Sequence, residues 1–333
     1  MNKAKLLQPL MKRNSAAAAN PSFRPPTRQK FALPATIFEF QPEYILGAQI
    51  ARTSHKVTSV ALGDLEPGSL TPQLNRPNVL KPEEVGRRVV AVARVLGSDK
   101  GPFGVLLPDA VVRVSILDFE TLPPERKEQE SLVRWKMKSL LAFPVDEARL
   151  SFEIAAKEPK GVQAVVMAVR KSVVAEYEAA LESLNGEVRL LLPSSAALLP
   201  LLNENAPAGE LLLNITPTQL TAVVARGHQI RLWRNQPMVG KTSEEGLASV
   251  GEEAVRTLAA AHDHLGLEID QVRICARPGV PDRWEVELGS RLSREVKDLN
   301  PSPRSVGIKL SDEESQILGE LGATVCGLVA NAG

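Results

Sequence analysis

Aromatic residues are scarce in this chain: Phe, Trp and Tyr together make up 4% of 333 residues. Stacking platforms for nucleobases need several such rings close together, so the composition argues against a nucleic-acid partner. It also leaves the core to Leu, Val, Ala and Ile. Net charge is nearly absent, +1 from 40 Lys and Arg against 39 Asp and Glu. No whole-molecule field therefore draws the chain to nucleic acid or anionic lipid. Cysteine is limited to Cys275 and Cys326, each among apolar residues. Two buried thiols in a reducing compartment are expected, with one disulfide between them as the alternative. No apolar run approaches the ~18–20 residues of a membrane helix. Lys3, Lys5, Lys12 and Arg13 interrupt the one candidate for a leader, so a cytoplasmic protein is expected. Catalytic signatures are missing too: there is no Gly-x-Ser-x-Gly, no Cys/His pair and no cluster of paired carboxylates. His262 and His264 are two apart and would face different ways on a helix, so no metal site is expected.

What the chain does have is hydrophobic periodicity. Residues 1–35 are the exception: basic, without an acidic residue, and carrying the run Ala16–Ala19. This segment reads as a disordered arm whose deletion is expected to leave the melting temperature nearly unchanged. Strands are expected at Thr36–Phe40, Tyr44–Ala51 and Val57–Leu62, with Gln41-Pro42-Glu43 as the first turn. Residues 81–96 place Val85, Val89, Val92 and Leu96 on one helical face. A second meander at Glu210–Ile215, Gln219–Ala225 and Gln229–Arg234 leads into a helix over about Glu244–Leu265. The same order of elements thus occurs twice. Ser311 followed by Glu314 is a capping box opening a C-terminal helix.

Between the two meanders, residues 107–154 read strand, helix, strand. Val112, Val114 and Ile116 alternate with Arg113, Ser115 and Leu117. Pro123-Pro124 suits a helix first turn. Val133, Met137, Leu140 and Leu141 then fall on one face, with Leu132 and Trp135 flanking it. Leu107-Pro108-Asp109, Val133-Arg134-Trp135-Lys136 and Phe143-Pro144-Val145-Asp146-Glu147 carry a resemblance. In order and spacing they resemble the PilM family of type IV pilus assembly proteins, related to FtsA and to the cytoplasmic part of GspL. The resemblance extends more weakly from about Thr36 to the C-terminus.

The resemblance implies an α/β fold, the actin-like (ribonuclease H-like) two-lobed fold with an inserted small α+β subdomain. The expected division is a basic tail at 1–35 and the core of the first lobe at 36–102. The inserted subdomain follows at 103–178, a return segment of the first lobe at 179–206, and the second lobe at 207–333. In this superfamily the first turn of each lobe holds phosphate and Mg²⁺, with an Asp two residues before a Gly. Here Glu39 and Gln41, followed by Pro42, take those positions in the first lobe, with Gln49 and Ala51 as a rival register. Asn214 and Thr216, with Thr218 nearby, take them in the second, and Gly279 is what remains of the adenosine loop. An amide does not hold Mg²⁺ as a carboxylate does. ATP hydrolysis is therefore not expected, no cofactor is expected, and ATP–Mg is the one ligand the resemblance leaves open. Asn235 to Thr242 ends like a P-loop but lacks its first glycine and contains Pro237, so it reads as a chance match.

The function the resemblance implies is a non-catalytic cytoplasmic scaffold, peripheral to the inner membrane through its partners. A PilN-like inner-membrane protein would insert its N-terminal peptide beside the inserted subdomain, with the pilus assembly platform and motor ATPase linked indirectly. Trp135, Leu107, Val111 and Phe143 are the candidate partner-binding residues. An active actin-like ATPase and a GspL-like secretion component are the alternatives.

Overall fold

The computed structural model describes residues 33–332, apart from 159–160, 204, 206–207, 228, 239–242, 278–283 and 300. The chain begins with β1 (Thr36–Phe40), β2 (Tyr44–Ile50) and β3 (Val57–Asp64), an antiparallel meander. Next comes α1 (Pro82–Val95), whose Val85, Val89 and Val92 are buried. It leads into β4 (Phe103–Leu107), which lies parallel to β1. Three strands and two helices follow: β5 (Arg113–Phe119), α2 (Arg126–Met137), β6 (Ala148–Glu158), β7 (Gly161–Arg170) and α3 (Lys171–Ala179). Then β8 (Val188–Pro193) joins the first sheet beside β4, giving the order β3-β2-β1-β4-β8.

After α4 (Ser194–Leu198) the pattern repeats. β9 (Gly209–Ile215), β10 (Gln219–Arg226) and β11 (Gln229–Pro237) form the second meander. α5 (Ser243–Leu265), β12 (Ile269–Ala276), α6 (Trp284–Leu292) and β13 (Val296–Asp298) follow, and the sheet order is β11-β10-β9-β12-β13. The order 3-2-1-4-5 therefore occurs in both lobes. The internal repeat expected from the sequence is present as topology. The chain closes with α7 (Pro303–Val306), α8 (Asp312–Leu321) and α9 (Ala323–Ala332). The capping box at Ser311 and Glu314 is formed.

The inserted unit is narrower than the sequence reading drew it. β4 is a central strand of the first sheet, and α3 buries Val173, Val174 and Tyr177 in the first lobe's core. The insert's own sheet, ordered β5-β7-β6, spans residues 113–170. Both its faces are covered. Leu117, Phe119, Phe152, Ala164, Val166 and Ala168 pack with Val133 and Met137 of α2. Val114, Val165, Met167 and Val169 face the main core. This is why β7 reads as an unbroken apolar run rather than an alternating one. The expectation of a half-buried first strand is corrected accordingly, since Ser115 and Leu117 are buried along with Val112 and Val114. α2 starts after both prolines, at Arg126, and ends at Met137, so Leu140 falls outside it.

The C-terminal helices leave the second lobe. Ser59 Oγ and the Val60 amide of β3 donate to Glu314 of α8. Leu318, Leu321, Val325, Cys326 and Leu328 join the first lobe's core. Residues 207–333 are thus not one lobe. The chain returns at its end to cover the sheet on which it began.

Candidate functional site

The two lobes meet at the turns of their first hairpins. Gln41 and Tyr44 exchange backbone hydrogen bonds, N to O at 2.9 Å and 3.3 Å, around a two-residue turn of Pro42 and Glu43. Thr216 and Gln219 do the same at 2.8 Å and 3.4 Å around Pro217 and Thr218. The registers agree residue for residue, so Glu39 corresponds to Asn214 and Gln41 to Thr216. Gln49 pairs with Thr36 at the far end of β1, which removes the rival register. Each turn carries a proline at its first position. A proline presets φ there and has no N–H to offer a phosphate.

Glu39 is fully buried. Its Oε1 accepts from Gln41 Nε2 at 3.0 Å and from Arg277 Nη2 at 2.9 Å. Its Oε2 accepts from Thr324 of α9. The Arg277 side chain is 2% exposed and leaves the end of β12, in the opposite lobe. It also donates, through Nη1, to the Leu321 carbonyl. Burial opposes the charge on this guanidinium, but the Glu39 carboxylate and its neighbours hold its pKa above the ordinary value.

A second cluster lies beside the first. Asp109 lies two residues past the end of β4 and is buried. Its carboxylate accepts from the Ser195 amide at 2.9 Å, from Ser195 Oγ, from Thr221 Oγ1 at 2.7 Å and from Asn214 Nδ2 at 3.3 Å. Burial pushes its pKa above the ordinary value despite those donors. Asn235, read as the first position of the P-loop decoy, donates instead to the Asp109 carbonyl at 3.0 Å. The decoy's end, Gly240 to Thr242, lies outside the described residues, as does Gly279. Thr216 Oγ1 accepts from the Gln219 amide at 3.0 Å, the satisfied turn that a threonine commonly makes. Thr218 is half-buried on the same turn.

The structure therefore joins Glu39 and Gln41 in one buried cluster and puts Asn214 in the adjoining one, while Thr216 stays bonded within its own turn. It adds Asp109, Ser194, Ser195, Thr221, Arg277 and Thr324, which sequence reasoning did not assign to a site. Asp109 stood in a segment quoted for the resemblance, but nothing local marks a residue that reaches across to the other lobe. Burial also pushes the thiols of Cys275 and Cys326 up to about 11 and about 12, so both are neutral and inert at pH 7. No disulfide joins them.

The partner candidates separate sharply. Leu107 and Val111 are fully buried in the first lobe's core, which removes them from any surface role. Phe143 is 8% exposed, with the Arg170 guanidinium over its ring at 5.9 Å. Trp135 is 70% exposed on α2, while Trp233 and Trp284 are buried.

No protein-family model matches this sequence, and no curated protein matches it either. Among solved structures, it is similar to a chain of a "PilM-PilN type IV pilus biogenesis complex". The TM-score there is 0.76 at 18% identity, covering 91% of this chain and 99% of that one. The fold is actin-like. The cytoplasmic domain of EpsL, an inner membrane component of the type II secretion system of Vibrio cholerae, is a more distant likeness, with a TM-score of 0.46 at 12% identity, covering 75% of this chain and 83% of that one. A Bacteroides thetaiotaomicron protein with an actin-like ATPase fold and unknown function gives 0.49 at 10% identity, covering 89% and 96%. In an actin-like fold the two hairpin turns face the nucleotide. Here the side chains at those positions are buried, Glu39 and Gln41 bonded to each other, Asn214 to Asp109 and Ser195, and Thr216 to its own turn. No helix among the described residues is long and apolar enough to cross a membrane.

Proposed function

We propose that this chain is a non-catalytic scaffold of a type IV pilus or related secretion assembly. In this reading it works on the cytoplasmic face of the inner membrane and holds the N-terminal peptide of a PilN-like membrane protein. Through that partner it connects to the assembly platform and, indirectly, to the motor ATPase. The observation that carries the non-catalytic part is the Glu39–Arg277 pair. The residue in the place of the first phosphate-loop carboxylate is committed to an arginine of the opposite lobe, and the second place is an amide. The assembly part is supported by the end-to-end likeness to a chain from a PilM–PilN complex. Trp135 is the anchor we assign on the insert, because exposed tryptophans are over-represented among interface hot spots.

Two measurements test this. Calorimetric titration with ATP and Mg²⁺ is expected to give no binding heat, and sub-micromolar affinity would overturn the non-catalytic reading. A synthetic peptide of the partner's cytoplasmic N-terminus is expected to bind and to shift Trp135 emission to the blue. Absence of binding would overturn the scaffold reading.

A further inference from the structure

Among the contacts that cross between the lobes, two lie at related places in the internal repeat. β4 and β12 are the equivalent parallel neighbours of β1 and β9. Glu39 lies beside Leu106 of β4, and Asn214 lies beside Cys275 of β12. Just past the end of β12, Arg277 reaches into the first lobe and ion-pairs with Glu39 at 2.9 Å. Just past the end of β4, Asp109 reaches toward the second lobe and takes Asn214 at 3.3 Å and Thr221 at 2.7 Å. Each lobe thus sends a residue from just beyond its fourth strand, one position past it for Arg277 and two for Asp109, to the first hairpin of the other. Around these contacts the seam is apolar. Leu212, Val223, Ala225, Ile230 and Cys275 of the second lobe share one core with the first.

We infer that these reciprocal clamps hold the two lobes closed by the chain's own side chains, so that closure needs no nucleotide. A rigid-body opening would withdraw Arg277 from Glu39 and break a buried ion pair, leaving the carboxylate only its neutral donors Gln41 and Thr324. It would also leave Asp109 without two of its four donors. An actin-like chain that takes its closing contacts from a bound ligand has a closed state that depends on that ligand. Here the guanidinium supplies the positive charge at the cleft floor permanently. The device concerns the lobes and not the partner, so it stands or falls separately from the scaffold reading.

Hydrogen exchange on the full chain tests it. In the wild type, amides of the hairpins at 39–44 and 214–219 should exchange only with global unfolding, and ATP with Mg²⁺ should leave them unchanged. In Arg277→Met, both hairpins should exchange together and roughly 100-fold or more faster, the scale expected when a buried ion pair loses one partner. The α2 segment should keep its protection. Glu39→Gln retains the side-chain volume and serves if Arg277→Met does not fold. Wild-type hairpins that open well ahead of global unfolding, protection conferred by ATP, or variants that leave both hairpins unchanged would each overturn the inference.

Discussion

Asn214 is the residue on which the cleft's electrostatics turn. Its Nδ2 lies 3.3 Å from an Asp109 oxygen and 2.9 Å from Ser195 Oγ. Asn214→Asp would restore the carboxylate usual in this fold and place it against Asp109. Like charges that close raise each other's pKa, so the variant should be less stable than the wild type at pH 7. The sign follows from linkage. Carboxyls whose folded-state pKa is raised are stabilising below their ordinary value near 4 and lose that contribution as pH rises. The gap in melting temperature between variant and wild type should therefore narrow steadily from pH 7 to pH 5. A gap independent of pH would refute the like-charge account. Trp135 makes the opposite prediction. At 70% exposure, Trp135→Ala should change stability by less than ~0.5 kcal/mol and abolish binding of the partner peptide. Early melting, or normal melting with the peptide retained, would remove it from the interface.

At the scale of elements, the join between α4 and α9 is the tightest helix contact. A Cβ built on Gly327 would lie 1.9 Å from the Ala197 carbonyl oxygen. Glycine is required there because α9 approaches α4 backbone to backbone. Gly327→Val should push α9 outward and cost about 1–3 kcal/mol. It should also disturb Thr324, which donates to Glu39 from the first turn of the same helix. Thermal unfolding followed by circular dichroism checks the first effect, and exchange at the 39–44 hairpin checks the second. The insert behaves differently. Val133 and Met137 belong to a small core of their own under α2. Met137→Ala should therefore cost about 2–5 kcal/mol, with extra exchange confined to α2, β5 and β6. Exchange spreading to the hairpins at the cleft would show that the insert is not an independent element.

For the whole molecule the question is whether two lobes mean two folding units. One hydrophobic core runs from Ile37 in β1 through Leu212 and Trp233 in the second lobe to Val329 in α9. A second, separate core lies only on the far face of the second sheet. With the clamps and the returning helices added, opening one lobe alone exposes most of what stabilises the other. Calorimetry should show a single transition whose calorimetric and van't Hoff enthalpies agree. Two resolved peaks would show that the lobes melt separately.

Much of this was legible in the residue order because it is local. The strand runs of the first meander, the stripe of α1, the Pro-containing turn at Gln41–Tyr44 and the capping box at Ser311 depend on neighbours a few positions away. Near-neighbour chemistry fixes them wherever the chain goes. The repeat of meander and helix was visible for the same reason, and so was the loss of glycine and aspartate from the two turns. What tertiary structure alone decided depends on distance along the chain. Glu39 and Arg277 are 238 residues apart, and Asp109 and Asn214 are 105 apart. No periodicity marks a charged residue whose partner lies on another sheet. Leu107 and Val111 are apolar residues flanking a strand end, which reads the same in sequence whether it meets a partner or a core. α8 and α9 have apolar faces that specify burial but not against what. The sequence determined that two similar meander-and-helix units form and that the first turn of each carries a proline; packing decided that Arg277 of one lobe pairs with Glu39 of the other, because only the folded chain brings the two charges out of water together.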